Sequence, residues 1–206
     1  MAPSRREVDG VKYALMYRLG LTPWEHYAEV AQASIVEKLQ RESIDRSERL
    51  GRALDVGCGR GVYSAALARM GWDVVGIDMV PQAIEAAQRA GHQGVRFEVA
   101  DATRLQQAGL GHFDFFLDIG CFQGLDAVGR MGMGKGVTAL ANAGATLLIL
   151  AFGPTLFHRL TEGVTHEQVV TGFPNWRPLS TEPAVTRGLG WPLNRSHPAW
   201  YRFQLP

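Results

Sequence analysis

Cysteine is scarce in this chain, with two in 206 residues, and neither Cys58 nor Cys121 belongs to a Cys-x-x-Cys pair. That excludes a disulfide framework and a cysteine zinc site as organising devices, and no bound metal is expected. An excess of charge of one sign is also missing, because 21 Lys+Arg face 20 Asp+Glu for a formal net charge of +1. A nucleic-acid partner usually requires a strongly basic face, so none is expected. No apolar run approaches the roughly 20 residues that span a bilayer. The opening MAPSRREVDGVKY holds no apolar stretch of signal-peptide length. These absences point to a cytoplasmic protein with no membrane contact.

What is present is a regular alternation of strand-like and helix-like segments from Ala53 onward, the mark of an α/β fold with a mostly parallel sheet. Ala53–Gly57, Trp72–Asp78, Val95–Val99, Phe113–Ile119 and Ala145–Phe152 read as five strands. The last is the most apolar, as expected of a strand buried on both faces. Val62–Met70 reads as a helix, and Pro81 starts another in its first turn. Thr165–Phe173 reads as a short helix with Thr165 as N-cap and Gln168 completing a capping box. Trp176–Glu182 and Ala199–Leu205 form two closing strands, which suggests an antiparallel edge. Ahead of the sheet, Trp24–Arg41 is an amphipathic helix. With no repeat and no linker, residues 1–206 are expected to form one domain, with 1–50 a helical cap segment and 51–206 the core.

The segment Asp55-Val-Gly57-Cys-Gly59-Arg-Gly61 lies between a strand and a helix. Glycines there let the backbone approach a ligand closely. The dinucleotide fingerprint G-x-G-x-x-G seats a pyrophosphate on a helix N-terminus. Here the spacing is G-x-G-x-G, and Asp55 stands two positions before the first glycine. A carboxylate there repels a pyrophosphate and suits an ammonium group, so the ligand reads as S-adenosylmethionine (SAM) rather than NAD. Asp78 ends the second strand 21 positions after Gly57, close to the roughly 20 at which an acid meets ribose hydroxyls. Asp101 follows the third strand, placed to accept from an adenine amino group. Asp118 ends the fourth. Ligands of open α/β sheets bind outside the carboxyl ends of the strands, which is where all four carboxylates fall.

In this order, LDVGCGRG, VVGID, EVADAT and FDFFLDIGCF resemble the successive motifs of class I SAM-dependent methyltransferases. Leu21-Thr-Pro-Trp-Glu25 and Asp118-Ile-Gly-Cys-Phe122 resemble the thiopurine, thiol and tellurite-resistance methyltransferase-like group of small-molecule enzymes. The resemblance implies a Rossmann-like three-layer sandwich with a seven-stranded sheet in the order 3-2-1-4-5-7-6, strand seven antiparallel. It implies Asp55, Gly57 and Gly59 around the methionine moiety, Asp78 on the ribose, Asp101 with Ala102 around adenine, Met79 on the adenine face and Trp24 over the sulfonium. Two departures stand out. Gln123 occupies the place where relatives often carry His, and Asn142-Ala-Gly144-Ala replaces a Pro-Gly-Gly turn.

The implied activity is methyl transfer to oxygen, sulfur or nitrogen of a small molecule, by a monomer or homodimer. An RNA or protein methyltransferase and a non-catalytic SAM-binding protein are the alternatives. If the acceptor is an alcohol, a base is needed, most often His. His158, just beyond the fifth strand, and His26, on the N-terminal segment, are the candidates. His92 is expected on the side of the sheet away from the ligand.

Overall fold

The sheet grows outward from the strand that carries the glycine turn. In the computed structural model, which describes residues 23–44, 50–154, 163–188 and 193–206, β1 (Arg52–Val56) lies between two parallel neighbours. These are β2 (Asp73–Asp78) and β4 (Phe113–Ile119). β3 (Val95–Val99) pairs beyond β2, and β5 (Ala141–Ala151) beyond β4, both parallel. β7 (Ala199–Gln204) runs antiparallel to β5, and β6 (Arg177–Pro183) antiparallel to β7. The resulting order, 3-2-1-4-5-7-6, is the one expected. Leu54, Phe116 and Ile149 on one face and Leu117 and Leu148 on the other are fully buried, because parallel strands covered on both faces need apolar side chains on both.

Helices cover the two faces. On one, α1 (Pro23–Ile44) and α2 (Val62–Arg69) pack Ile35, Leu39 and Leu67 against Phe115, Leu117 and Leu148. On the other lie a 3-10 segment, Ala102–Gln107, and the helices α4 (Ala127–Ala139) and α5 (His166–Gly172). They pack Leu105, Met133, Val137 and Val169 against Val56, Phe116 and Ile149. α3 (Pro81–Arg89) sets Ile84 and Ala87 against Phe97 of β3. In α5, Thr165 accepts from the Gln168 amide while the Gln168 side chain accepts from the Thr165 amide, completing the expected capping box.

The buried stripe of α1 recurs every four residues: Tyr27, Ala31, Ile35, Leu39. Its C-terminal half is tied to the closing strands. Glu42, 1% exposed, meets Arg202 of β7, with Arg202 Nη2 donating to Oε2 at 3.2 Å. Lys38 and Arg41 both pair with Glu182 of β6, and these two cations hold the Glu182 carboxyl down at about 2.

Two elements depart from the sequence reading. β5 starts at Ala141 rather than Ala145, so Asn142–Ala145 lies inside a strand, not in a separate turn. The pairing with β4 jumps from Phe113↔Ala141 to Phe115↔Thr146. Gly144, at φ +77°, takes up the surplus residues as a bulge. The second is α4, in a stretch where the sequence reading placed no element. It contains Gly129, Gly132, Gly134 and Gly136, a composition poor in intrinsic helix propensity.

Candidate functional site

β1, β2, β3 and β4 end at one rim of the sheet, and the turns that follow enclose a cavity of about 220 Å³. The first wall is the glycine turn. Gly57, Gly59 and Gly61 all have positive φ, at +74°, +54° and +77°, a region that side chains with a Cβ rarely adopt. The amides of Gly57 and Cys58 both donate to the Ile77 carbonyl at 2.8 Å, which ties the turn to β2. A Cβ on Gly57 would stand 2.8 Å from the Cys121 Cβ. The absence of a side chain therefore lets the two strand-end loops close around the cavity.

The four carboxylates divide into two pairs. Asp78 and Asp101 line the cavity. Asp78 Oδ2 accepts from the Gly59 amide at 3.0 Å and Oδ1 from Val80 at 2.9 Å, so it also braces the glycine turn. Burial raises its pKa, opposed by those amides. Asp101 Oδ1 accepts from the amide and hydroxyl of Thr103, at 2.8 and 2.7 Å, and caps the 3-10 segment. Each carboxylate keeps lone pairs that these bonds leave unused.

Asp55 and Asp118 lie beneath, outside the cavity lining. Asp55 is 2% exposed and accepts from the Ser64 hydroxyl of α2 at 2.5 Å. Burial raises it to about 6, with the nearby Asp78 charge adding to the rise. Asp118 is fully buried, and its oxygens accept from the amides of Cys121 and Phe122 at 2.7 and 2.9 Å. Burial raises it to about 7. These two bonds tie down the loop after β4.

Met79 lines the cavity with 40% of its surface exposed, and Ala102 lies beside it. Gly57 contributes to the lining, whereas Gly59 is engaged by Asp78. Trp24 and His26 sit on α1 with side chains outside the described residues, and His158 lies outside the described residues altogether. His92 is closer to the site than expected. Its Nε2 meets the Arg60 carbonyl at 3.2 Å, behind the glycine turn, because its ring packs against Phe97.

Tyr27, Gln123 and Phe152 line the cavity too, and the motif reading assigned none of them a role there. Tyr27 heads the apolar stripe of α1, a pattern indistinguishable from ordinary core. Its ring meets Phe152 edge-on at 4.9 Å, and its hydroxyl is buried with no hydrogen-bond partner among the described residues. Burial raises that phenol to about 12. Cys121 also lines the cavity, and burial together with the surrounding carboxylates pushes its thiol well up.

The charged side chains that line this cavity are Asp78 and Asp101. Among the described residues no Lys, Arg or His joins them. A negative field with no basic counterpart among the described residues disfavours a pyrophosphate and favours a cationic ligand. Half-exposed Met79 and the close-approach backbone of Gly57 fit a flat heterocycle and a chain threaded past the turn.

Comparison with known proteins agrees with this geometry. Residues 53–144 match the methyltransferase domain family. The chain is 32% identical, over 120 residues, to a ubiquinone biosynthesis O-methyltransferase of Acinetobacter baumannii, covering 54% of this chain and 50% of that protein. It thus spans about half the length of the curated relatives it matches. The magnesium protoporphyrin IX methyltransferase of Synechocystis PCC 6803 with bound S-adenosylhomocysteine (SAH) superposes with a TM-score of 0.75. That match has 16% identity and covers 96% of this chain and all of the other. The N-methyltransferase NodS of Bradyrhizobium japonicum, in complex with SAH, gives 0.70 at 19% identity over 85% of this chain and 88% of that one. At such identities the structures speak for the fold. Residues 53–144 are thus similar to a methyltransferase domain, set in a sheet whose strand order is the one the resemblance implied.

Proposed function

We propose that the protein transfers a methyl group from SAM to an oxygen, sulfur or nitrogen atom of a small molecule. The carrying observation is the cavity at the strand ends, whose charged lining groups among the described residues are two carboxylates. The curated relative named above is an O-methyltransferase, and the two solved neighbours hold SAH, which supports the same cofactor here. When bound, SAM supplies a methyl group on a sulfonium, with a neutral thioether as leaving group.

The chain's own contribution is alignment, electrostatics and exclusion of water. Asp78 would accept from the ribose hydroxyls through the lone pairs left free by Gly59 and Val80. Asp101 and Ala102 would frame the adenine, and Met79 would cover its face. Gly57 would admit the methionine portion along the backbone. Asp55 and Asp118 act from below: ionised, they add to the negative field, and Asp118 holds the loop that carries Cys121 and Gln123. Neither Cys121 nor Tyr27 ionises at neutral pH, so both serve as walls rather than as base or nucleophile.

The same proposal includes the single-domain organisation, with α1 bringing Tyr27 over the cavity, a cytoplasmic setting, and a monomer or homodimer. The test is transfer of radiolabelled methyl from SAM to a panel of phenols, thiols and amines, with products identified by mass. Labelled product and equimolar SAH support the reading. SAM binding without turnover on any acceptor would leave a SAM-binding protein instead.

A further inference from the structure

Gln123 follows the Cys121–Phe122 pair on a 3-10 turn (Phe122–Gly124), and its side chain lines the cavity. Its Oε1 accepts from the Phe152 amide at 2.6 Å, at the end of β5. A backbone N–H needs an acceptor, so the oxygen must face Phe152 and the amide nitrogen must face elsewhere. Two further contacts fix the turn beneath it. Arg130 of α4 donates from Nη2 to the Gln123 carbonyl at 3.2 Å, and its guanidinium sits over the Phe122 ring at 5.7 Å. Gln123 Nε2 makes no hydrogen bond among the described residues. It is a pre-oriented donor in a wall otherwise built by Ile119, Leu125 and Phe152.

A second unpaired polar group stands on the same wall. Tyr27 lines the cavity, and its hydroxyl is buried with no partner among the described residues, while its ring contacts Phe152 from α1. Phe152 therefore joins two groups, each able to donate a hydrogen bond that the described protein residues do not receive. A donor covered by an apolar ligand loses its water with no replacement, which penalises that ligand relative to one carrying an acceptor atom there. The carboxylates of Asp78 and Asp101 disfavour a second negative charge in the same cavity. The matching group is thus a neutral hydrogen-bond acceptor.

We propose that Gln123 sets acceptor specificity, its amide N–H receiving a neutral carbonyl oxygen adjacent to the nucleophile of the methyl acceptor, with the Tyr27 hydroxyl as second donor. This rests on the methyltransferase reading and narrows its substrate class to hydroxy or thiol compounds with a neighbouring carbonyl.

The test uses two ligands of matched size, ortho-hydroxyacetophenone and ortho-ethylphenol, titrated by calorimetry into the SAH-loaded protein at about pH 8. Saturation with SAH is measured first, so failure of the cofactor reading is seen separately. The ketone is expected to bind roughly five- to tenfold tighter than the ethylphenol, the range of a single hydrogen bond. Gln123→Glu keeps an acceptor for Phe152 but presents a carboxylate to the cavity; Gln123→Met removes both functions. Both variants are expected to abolish the preference and leave SAH affinity unchanged, and Tyr27→Phe to reduce the preference in part. Equal affinities in the wild type, including binding of neither ligand, would overturn the proposal. So would a preference lost in Gln123→Met but retained in Gln123→Glu, which would make Gln123 merely a strut for Phe152.

Discussion

Asp78 Oδ2 accepts a hydrogen bond from the Gly59 amide at 3.0 Å, so the end of β2 fixes the middle glycine of the turn that follows β1. Two motifs separated by 19 residues are thereby one structural unit. The carboxylate that frames the cavity also sets the backbone beside it.

Asp78→Ala should therefore weaken SAM binding by about 1–3 kcal/mol, the range for removing a polar partner from a desolvated site. Calorimetric titration of the variant checks this. Asp78→Asn, which keeps one acceptor oxygen, should lose less.

The buried carboxylates predict how stability varies with pH. Folding raises Asp55 from its usual value to about 6 and Asp118 to about 7. The native state thus binds more protons than the unfolded chain between about pH 4 and pH 7, and stability must fall as pH rises through that window. Glu182, held at about 2 by Lys38 and Arg41, acts in the opposite sense, but only at more acid pH. The ligand-free protein should melt at a lower temperature at about pH 8 than at about pH 5. A cation bound above these carboxylates favours their ionised forms, so the ratio of SAM to SAH affinity should rise over the same interval. A melting temperature that climbs from pH 5 to pH 8 would contradict the account.

Glu42 and Arg202 predict a stability effect remote from the cavity. Glu42 is 1% exposed, and Arg202 is its bidentate partner. Arg202→Ala leaves a buried carboxylate without its cation and should destabilise the protein by about 3–5 kcal/mol in urea unfolding. Pairing it with Glu42→Leu should recover much of that loss, because a well-packed apolar pair removes the stranded charge.

The parts of this molecule legible in its sequence are those fixed by local chemistry. The positive-φ glycines, the Thr165–Gln168 capping box and the strand-end carboxylates each need particular residue types at particular spacings. α4 was not legible, because its glycines answer to distant neighbours. A Cβ on Gly134 would stand 1.9 Å from the Gly172 carbonyl oxygen, and one on Gly132 would stand 2.7 Å from that of Thr103. Close packing against α5 and the 3-10 segment outweighs weak helix propensity there. At the site, motif spacing placed four acids at the rim but could not separate the two that line the cavity from the two buried beneath it. Tyr27 escaped because a residue at the head of an apolar helical stripe looks like core. Gln123 stood out only as a departure from a family pattern, and its function as a donor required knowing where the Phe152 amide lies.

The most direct test of the central claim is parallel calorimetric titration of the purified protein with SAM, SAH and NAD. The account predicts micromolar binding of both adenosyl ligands and none of NAD, since the cavity lining offers carboxylates and no described basic group. Binding of NAD with no affinity for SAM or SAH would contradict it.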